Sequence, residues 1–192
     1  AHRRLVFDEF LSMQLGILKL REENISTKKG IKYSSDVKIS DFIDRLPFKL
    51  TAAQLRVIEE IDSDMENEKQ MNRLLQGDVG SGKTVVAMVM LIYMAENAYQ
   101  GALMAPTEIL ANQHYLGIKE RLEKIGLRVE LLTSSIKGKK KNEILEGIAS
   151  GEIDIVIGTH SLIEDDVVFK KLGLIVIDEQ HRFGVNQRNK LR

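Results

Sequence analysis

The chain has 192 residues, with 28 Lys and Arg set against 28 Asp and Glu, and no cysteine. That length suits one domain with an appendage; the cancelled charge selects no partner, and the missing thiols exclude disulfides, thiol catalysis and thiolate metal sites. No apolar stretch approaches the ~20 residues that cross a bilayer, and the amino end (AHRRLVFDEF) lacks a signal peptide's apolar centre, so a soluble cytoplasmic protein without membrane contact is expected.

Leu5, Phe10, Leu11, Leu15, Leu18 and Leu20 recur near a helical period between Glu and Lys, which predicts an amphipathic helix from Arg3 to about Glu23. Asn24 to Ser40 is polar, with Gly and Ser, and reads as a connector. Leu46-Pro47-Phe48 opens a new unit, so residues 1–45 are taken as an N-terminal helix and connector and 46–192 as the principal domain. Thr51 is a suitable N-cap for a helix running to about Ile61, and Asp62 to Lys69 is acidic and exposed.

Beyond that, strands alternate with helices. Strands are predicted near Arg73–Gln76, Gly101–Ala105, Arg128–Thr133, Ile153–Ile157 and Leu174–Ile177, and helices over Lys83–Asn97, Thr107–Lys124 and Lys139–Ser150. This alternation means an α/β domain whose mostly parallel sheet carries helices on both faces, preceded here by a helical segment. The apolar runs IDIVIG and LGLIVID suit strands covered on both sides. Ligands of such sheets bind at the carboxyl ends of the strands. Between Lys119 and Lys141 eight Lys or Arg face three Glu; such a run can meet phosphates, or can simply be a solvated helix face.

One stretch carries a specific signal. Gly77-Asp78-Val79-Gly80-Ser81-Gly82-Lys83-Thr84 fits the phosphate loop G-x-x-x-x-G-K-[ST] at every fixed position. Its glycines let backbone N–H groups curl around phosphate oxygens, Lys83 reaches the outer phosphates, and the Thr84 hydroxyl can ligate Mg²⁺. The apolar helix that follows turns its N-terminus to the phosphates. A nucleoside triphosphate is the expected ligand.

The run Leu174 to Ile177 then delivers two adjacent acids, Asp178 and Glu179, to a strand end. Alone, such acids can cap the next helix. Beside a phosphate loop, Asp178 suits a Mg²⁺ ligand, direct or through water, and Glu179 suits the base that orients and deprotonates the attacking water. Pro106-Thr107-Glu108 and Gly158-Thr159-His160 also follow strands. Their N–H groups and hydroxyls can hold a nucleic-acid phosphate, or Thr107 can be a plain N-cap. His160 and His181 have no partner at zinc-ligand spacing.

A phosphate loop followed by D-E-x-H resembles the superfamily 2 helicase motor, and DEQHRFGVNQR (Asp178 to Arg188) resembles the RecG group of branched-DNA helicases. LPFKLTAAQ resembles that group's Q motif, APTEILANQHY its motif Ia, and GEIDIVIGTHSLI the region of motif Ic. The resemblance runs from about Leu46 to Arg188 and, more loosely, takes in AHRRLVFDEF at the start. It implies a RecA-like first motor lobe using ATP and Mg²⁺. It further implies that Gln54 reads the adenine edge with Phe48 near the base, and that Pro106, Thr107, Gly158, Thr159 and His160 contact DNA. Gln180, His181 and Arg182 would couple nucleotide state to DNA. One departure stands out. Thr133-Ser134-Ser135 replaces the group's usual Thr-Gly, removing glycine's freedom at positive φ.

Nothing after Arg188 resembles motifs III to VI, and the chain begins without Met, so a piece of a longer monomeric protein is expected. Its second lobe, with an arginine finger, and its DNA-reading domain would lie outside. The parent would hydrolyse ATP to drive branch migration and fork regression on branched or forked DNA. Two readings stay open beside this one: a lobe of a neighbouring translocase (transcription-repair coupling type) or RNA helicase, and a P-loop kinase of metabolism.

Overall fold

The structure is a computed structural model that describes residues 2–27, 38–44, 46, 48–67 and 70–179. Two compact units divide the chain: Ala1–Ser34 with Leu55–Leu75, and Ser35–Gln54 with Gln76–Arg192.

The first unit contains α1 (His2–Thr27) and most of α3 (Ala52–Met65). Helix α1 is longer than its sequence period suggests and takes in Asn24–Thr27 from the expected connector. Along it Val6, Phe7, Phe10, Leu11, Met13, Leu15, Ile17 and Leu18 are exposed. The connector also yields a short helix, α2 (Ile39–Ile43), which buries Ile39 and Phe42.

No strand forms at Arg73–Gln76, contrary to the sequence expectation. Only Leu74 and Leu75 are apolar there, and Leu74 is exposed. Arg73 is held by ion pairs of 2.7 Å to both Glu60 and Asp64 of α3. Two leucines cannot bury enough apolar surface to hold this run in a sheet.

The second unit holds the sheet: β1 (Gln100–Met104), β2 (Val129–Leu132), β3 (Ile155–Gly158) and β4 (Leu172–Ile177), in the order β2-β3-β1-β4. Every pairing is parallel. The central strands β1 and β3 are buried throughout, while β2 and β4 each have one strand neighbour and are partly exposed. Helices α4 (Lys83–Glu96), α5 (Glu108–Glu123) and α6 (Gly138–Ser150) connect or cover them.

Strand register shows that both faces are covered. Gly101 turns to α4, where an added Cβ would meet Leu91 Cδ2 at 2.5 Å, so a larger residue would force the Leu91 side chain to shift. Met104 is three residues on and therefore points to the opposite face. It packs with Ile144 and Ile148 of α6, Leu132, Ile153, Val156 and Leu162. Helix α4 is apolar on nearly every side, with Val86 and Met88 to Met94 buried, as a helix enclosed by its own domain requires. It joins β1 through three residues, so it runs antiparallel to the strands. Its N-terminus therefore lies at their carboxyl edge.

Gln100 is the polar pin of this core. Its Nε2 donates to the carbonyls of Ile148 (2.9 Å) and Ile153 (2.8 Å), and its Oε1 accepts from the Lys171 amide at 3.0 Å. The residue is 4% exposed. Gln100→Ala leaves three backbone groups without this partner, and a loss of about 2–4 kcal/mol in unfolding free energy is expected by urea denaturation.

Candidate active site

All four strands open at one edge, where Thr107, Thr159 and Asp178 follow β1, β3 and β4. The phosphate loop precedes α4, with Gly80 and Gly82 both at φ 81°. Gly82 is the N-cap of α4 in left-handed geometry and supplies no side-chain cap, so the first-turn N–H groups are not closed off by its side chain. A Cβ at Gly82 would run into the Gln54 amide. Lys83 sits inside the loop, its Nζ donating to the carbonyls of Gly77 and Asp78, each at 2.8 Å. The Ser81 amide donates to the Asp78 carbonyl at 3.2 Å, tightening the turn, and Val79 is fully exposed at its crown.

Gln54 has more than one task in sight. Thr51 caps α3 through its hydroxyl, which accepts from the Gln54 amide N–H at 3.2 Å, while Gln54 Oε1 accepts from the Thr51 N–H at 2.9 Å. This reciprocal pair is a capping box. The other end of the same side chain, Nε2, donates to the Ser81 carbonyl at 3.3 Å. The expected adenine reader thus stands on the phosphate loop itself, and Phe48 nearby in sequence is half-buried.

At the end of β4 the Asp178 amide donates to the Met104 carbonyl at 2.8 Å, extending the β1–β4 ladder by one residue. Asp178 Oδ1 accepts from the Glu179 amide at 3.0 Å, and Glu179 adopts φ 47°, a left-handed conformation uncommon outside glycine. Asp178 Oδ2 lies 2.8 Å from His114 Nε2. His114 belongs to α5 and carried no role in the sequence reading. It follows Ala111 and precedes Ile118 on the buried side of that helix, a position that signals packing but not its partner.

The loops at the other strand ends are more committed than expected. Thr107 is the N-cap of α5, its hydroxyl accepting from Leu110 N at 3.3 Å. That leaves the Thr107 O–H as a donor to a phosphate. Thr159 is 2% exposed and its hydroxyl, like that of Ser161, has no hydrogen-bond partner among the described residues; Gly158 is also buried, whereas His160 is exposed. Gln180, His181 and Arg182 lie outside the described residues. The basic run is largely paired: Lys124 with Glu120 (2.8 Å), Arg128 with Glu152 (3.1 Å), and Lys141 with Glu164 (3.0 Å) and Asp166 (2.8 Å).

Ser134, where the sequence departs from the expected glycine, donates to Glu108 Oε1 at 2.5 Å, and the Ser135 amide donates to the same oxygen at 3.2 Å. This joins the loop after β2 to the start of α5. The Ser134 hydroxyl first, and then Ser135, hold the Glu108 carboxyl below its usual range. A depressed carboxylate contributes stability above its unfolded pKa and loses it as pH falls through the folded value. The Ser135 amide NMR shift is therefore expected to titrate below the ordinary Glu range, and Ser134→Gly to move that midpoint back up.

The family assignment rests on residues 51–192, which match the DEAD/DEAH box helicases. The chain belongs to that family. Across its whole length it is 53% identical to the ATP-dependent DNA helicase RecG of Bacillus subtilis, of which it covers 28%. It is 49% identical to the protein of that name from Synechocystis and covers 23% of it. For the Thermotoga maritima protein the figures are 50% and 24%. The chain thus spans about a quarter of the length of the curated relatives it matches. Among the described residues no helix is long and apolar enough to cross a membrane.

Proposed function

We propose that residues 46–192 form the first, ATP-binding lobe of a two-lobed helicase motor, led in by a helix and connector over residues 1–45. The protein carrying it hydrolyses ATP to move on branched or forked DNA, driving branch migration and fork regression. The observation that carries this reading is the shared edge: the phosphate loop at the head of α4 and Asp178–Glu179 after β4 open on the same side of one parallel sheet. Membership of the helicase family removes the support for a metabolic kinase.

Each residue has a role in this reading. The N–H groups of Gly80 to Thr84 hold the β- and γ-phosphates, and Lys83 turns its ammonium from the Gly77 and Asp78 carbonyls to them. Gln54 releases Ser81 to meet the adenine edge, against Phe48. Thr84 and Asp178 would hold Mg²⁺; a hydroxyl and a carboxylate are the hard oxygen donors it takes, and with phosphates supplying further ligands it needs no protein cage. Bound there, the ion neutralises charge on the phosphates. Glu179 orients the attacking water and takes its proton.

On the DNA side, the Thr107 hydroxyl and exposed His160 meet phosphates, with Pro106, Gly158 and Thr159 shaping the strand ends behind them. Gln180, His181 and Arg182 couple the two sites. An arginine finger from a second lobe, outside these residues, completes the site. Such fingers are worth ~10³–10⁵ in rate.

Steady-state ATP hydrolysis with Mg²⁺, with and without forked DNA, tests this directly. The 192-residue chain is expected to match its Lys83→Ala variant, and a chain extended through a second lobe to gain DNA-stimulated turnover. Robust turnover by the 192 residues, lost on Lys83→Ala, would contradict the need for a second lobe.

A further inference from the structure

The contact between His114 and Asp178 joins residues 64 apart in sequence, yet nothing in the motifs assigns His114 a part. Its side chain is 15% exposed, against 37% for Asp178, so the pair is shielded from the histidine side and open on the carboxylate side. An ionised carboxylate only accepts hydrogen bonds, so a contact of 2.8 Å makes Nε2 the donor. Met104 fixes the Asp178 backbone at 2.8 Å, and the Glu179 amide holds Oδ1 at 3.0 Å. His114 supplies the remaining restraint, on Oδ2. Together the three bonds leave the carboxylate little freedom to rotate.

We propose that His114 is a positioning residue that sets the Asp178 carboxylate for the divalent cation accompanying the nucleotide phosphates. This rests on the reading of Asp178 as the carboxylate that holds that cation. Outer partners of this kind orient a ligand before the ion arrives, and losing one typically costs 10–100-fold in metal affinity or activity. The residue type suits the task. A lysine or arginine would set a fixed positive charge against the cation, whereas an imidazole can donate one N–H without bringing it. The position suits it too, because Ala111, Ile118 and Leu122 of the same helix are buried and hold the ring's backbone still.

The test is the Mg²⁺ dependence of fluorescent ATP-analogue binding by the full-length protein, with Mn²⁺ electron paramagnetic resonance as a direct readout of the ion. Asp178→Asn, His114→Ala and His114→Gln are compared with the parent, each checked by thermal melting. His114→Ala is expected to raise the half-saturating Mg²⁺ concentration about 10–100-fold, with nucleotide affinity in EDTA unchanged. His114→Gln offers an amide N–H in place of Nε2–H and is expected to recover most of that loss.

Normal Mg²⁺ dependence in His114→Ala, with Asp178→Asn defective, would overturn the positioning role and leave the reading of Asp178 intact. Normal dependence in Asp178→Asn would overturn that reading, and the proposal with it. Equal losses in EDTA and in Mg²⁺ for both His114 variants would mean that the histidine only holds the fold together.

Discussion

The bond from the Asp178 amide to the Met104 carbonyl, 2.8 Å long, continues the parallel ladder of β1 and β4 beyond the last paired residues. The placement of the site follows from that ladder. Parallel strands must all end at one edge, so β1, β2, β3 and β4 release their chains into the same space. Helix α4, forced antiparallel by its short connection to β1, brings the phosphate loop to that edge. A helix dipole and a strand-end carboxylate therefore face one region without any contact between them being required by the fold.

The edge is also cross-braced by polar side chains from outside the strands. Gln54 links the cap of α3 to the phosphate loop, Glu108 links the start of α5 to the loop after β2, and His114 links α5 to Asp178. Helix α5 takes part in two of these braces. A displacement at its N-terminus, where Thr107 offers an O–H, would thus bear on both the Ser134 loop and the Asp178 carboxylate. Gln100 plays the equivalent part at the opposite end of β1, where it ties α6 to the entries to β3 and β4.

Much of this was legible in the sequence because the relevant signals are local. The phosphate loop is eight consecutive residues, in which Gly80 and Gly82 sit at positive φ. Strands such as IDIVIG announce themselves by continuous apolar character, and Thr51 with Gln54 is a capping box written within four residues. What escaped were features set by distant partners. Leu74 and Leu75 look like a strand until Arg73 is seen engaged with Glu60 and Asp64. The apolar period of α1 marked a helix, but not the exposure of Phe7, Phe10 and Leu15 on it. Nothing near His114 or Glu108 names the residue each one meets, because those pairs are 64 and 26 positions apart.

A crystal structure of the chain with a non-hydrolysable ATP analogue and Mg²⁺ tests the central claim most directly. The account predicts phosphate oxygens within hydrogen-bond distance of the Gly80 to Thr84 amides, and Lys83 Nζ moved from the Gly77 and Asp78 carbonyls onto them. It also predicts the ion between Thr84 and Asp178. A nucleotide bound elsewhere, or held at this loop with Lys83 still on its own carbonyls, would contradict it.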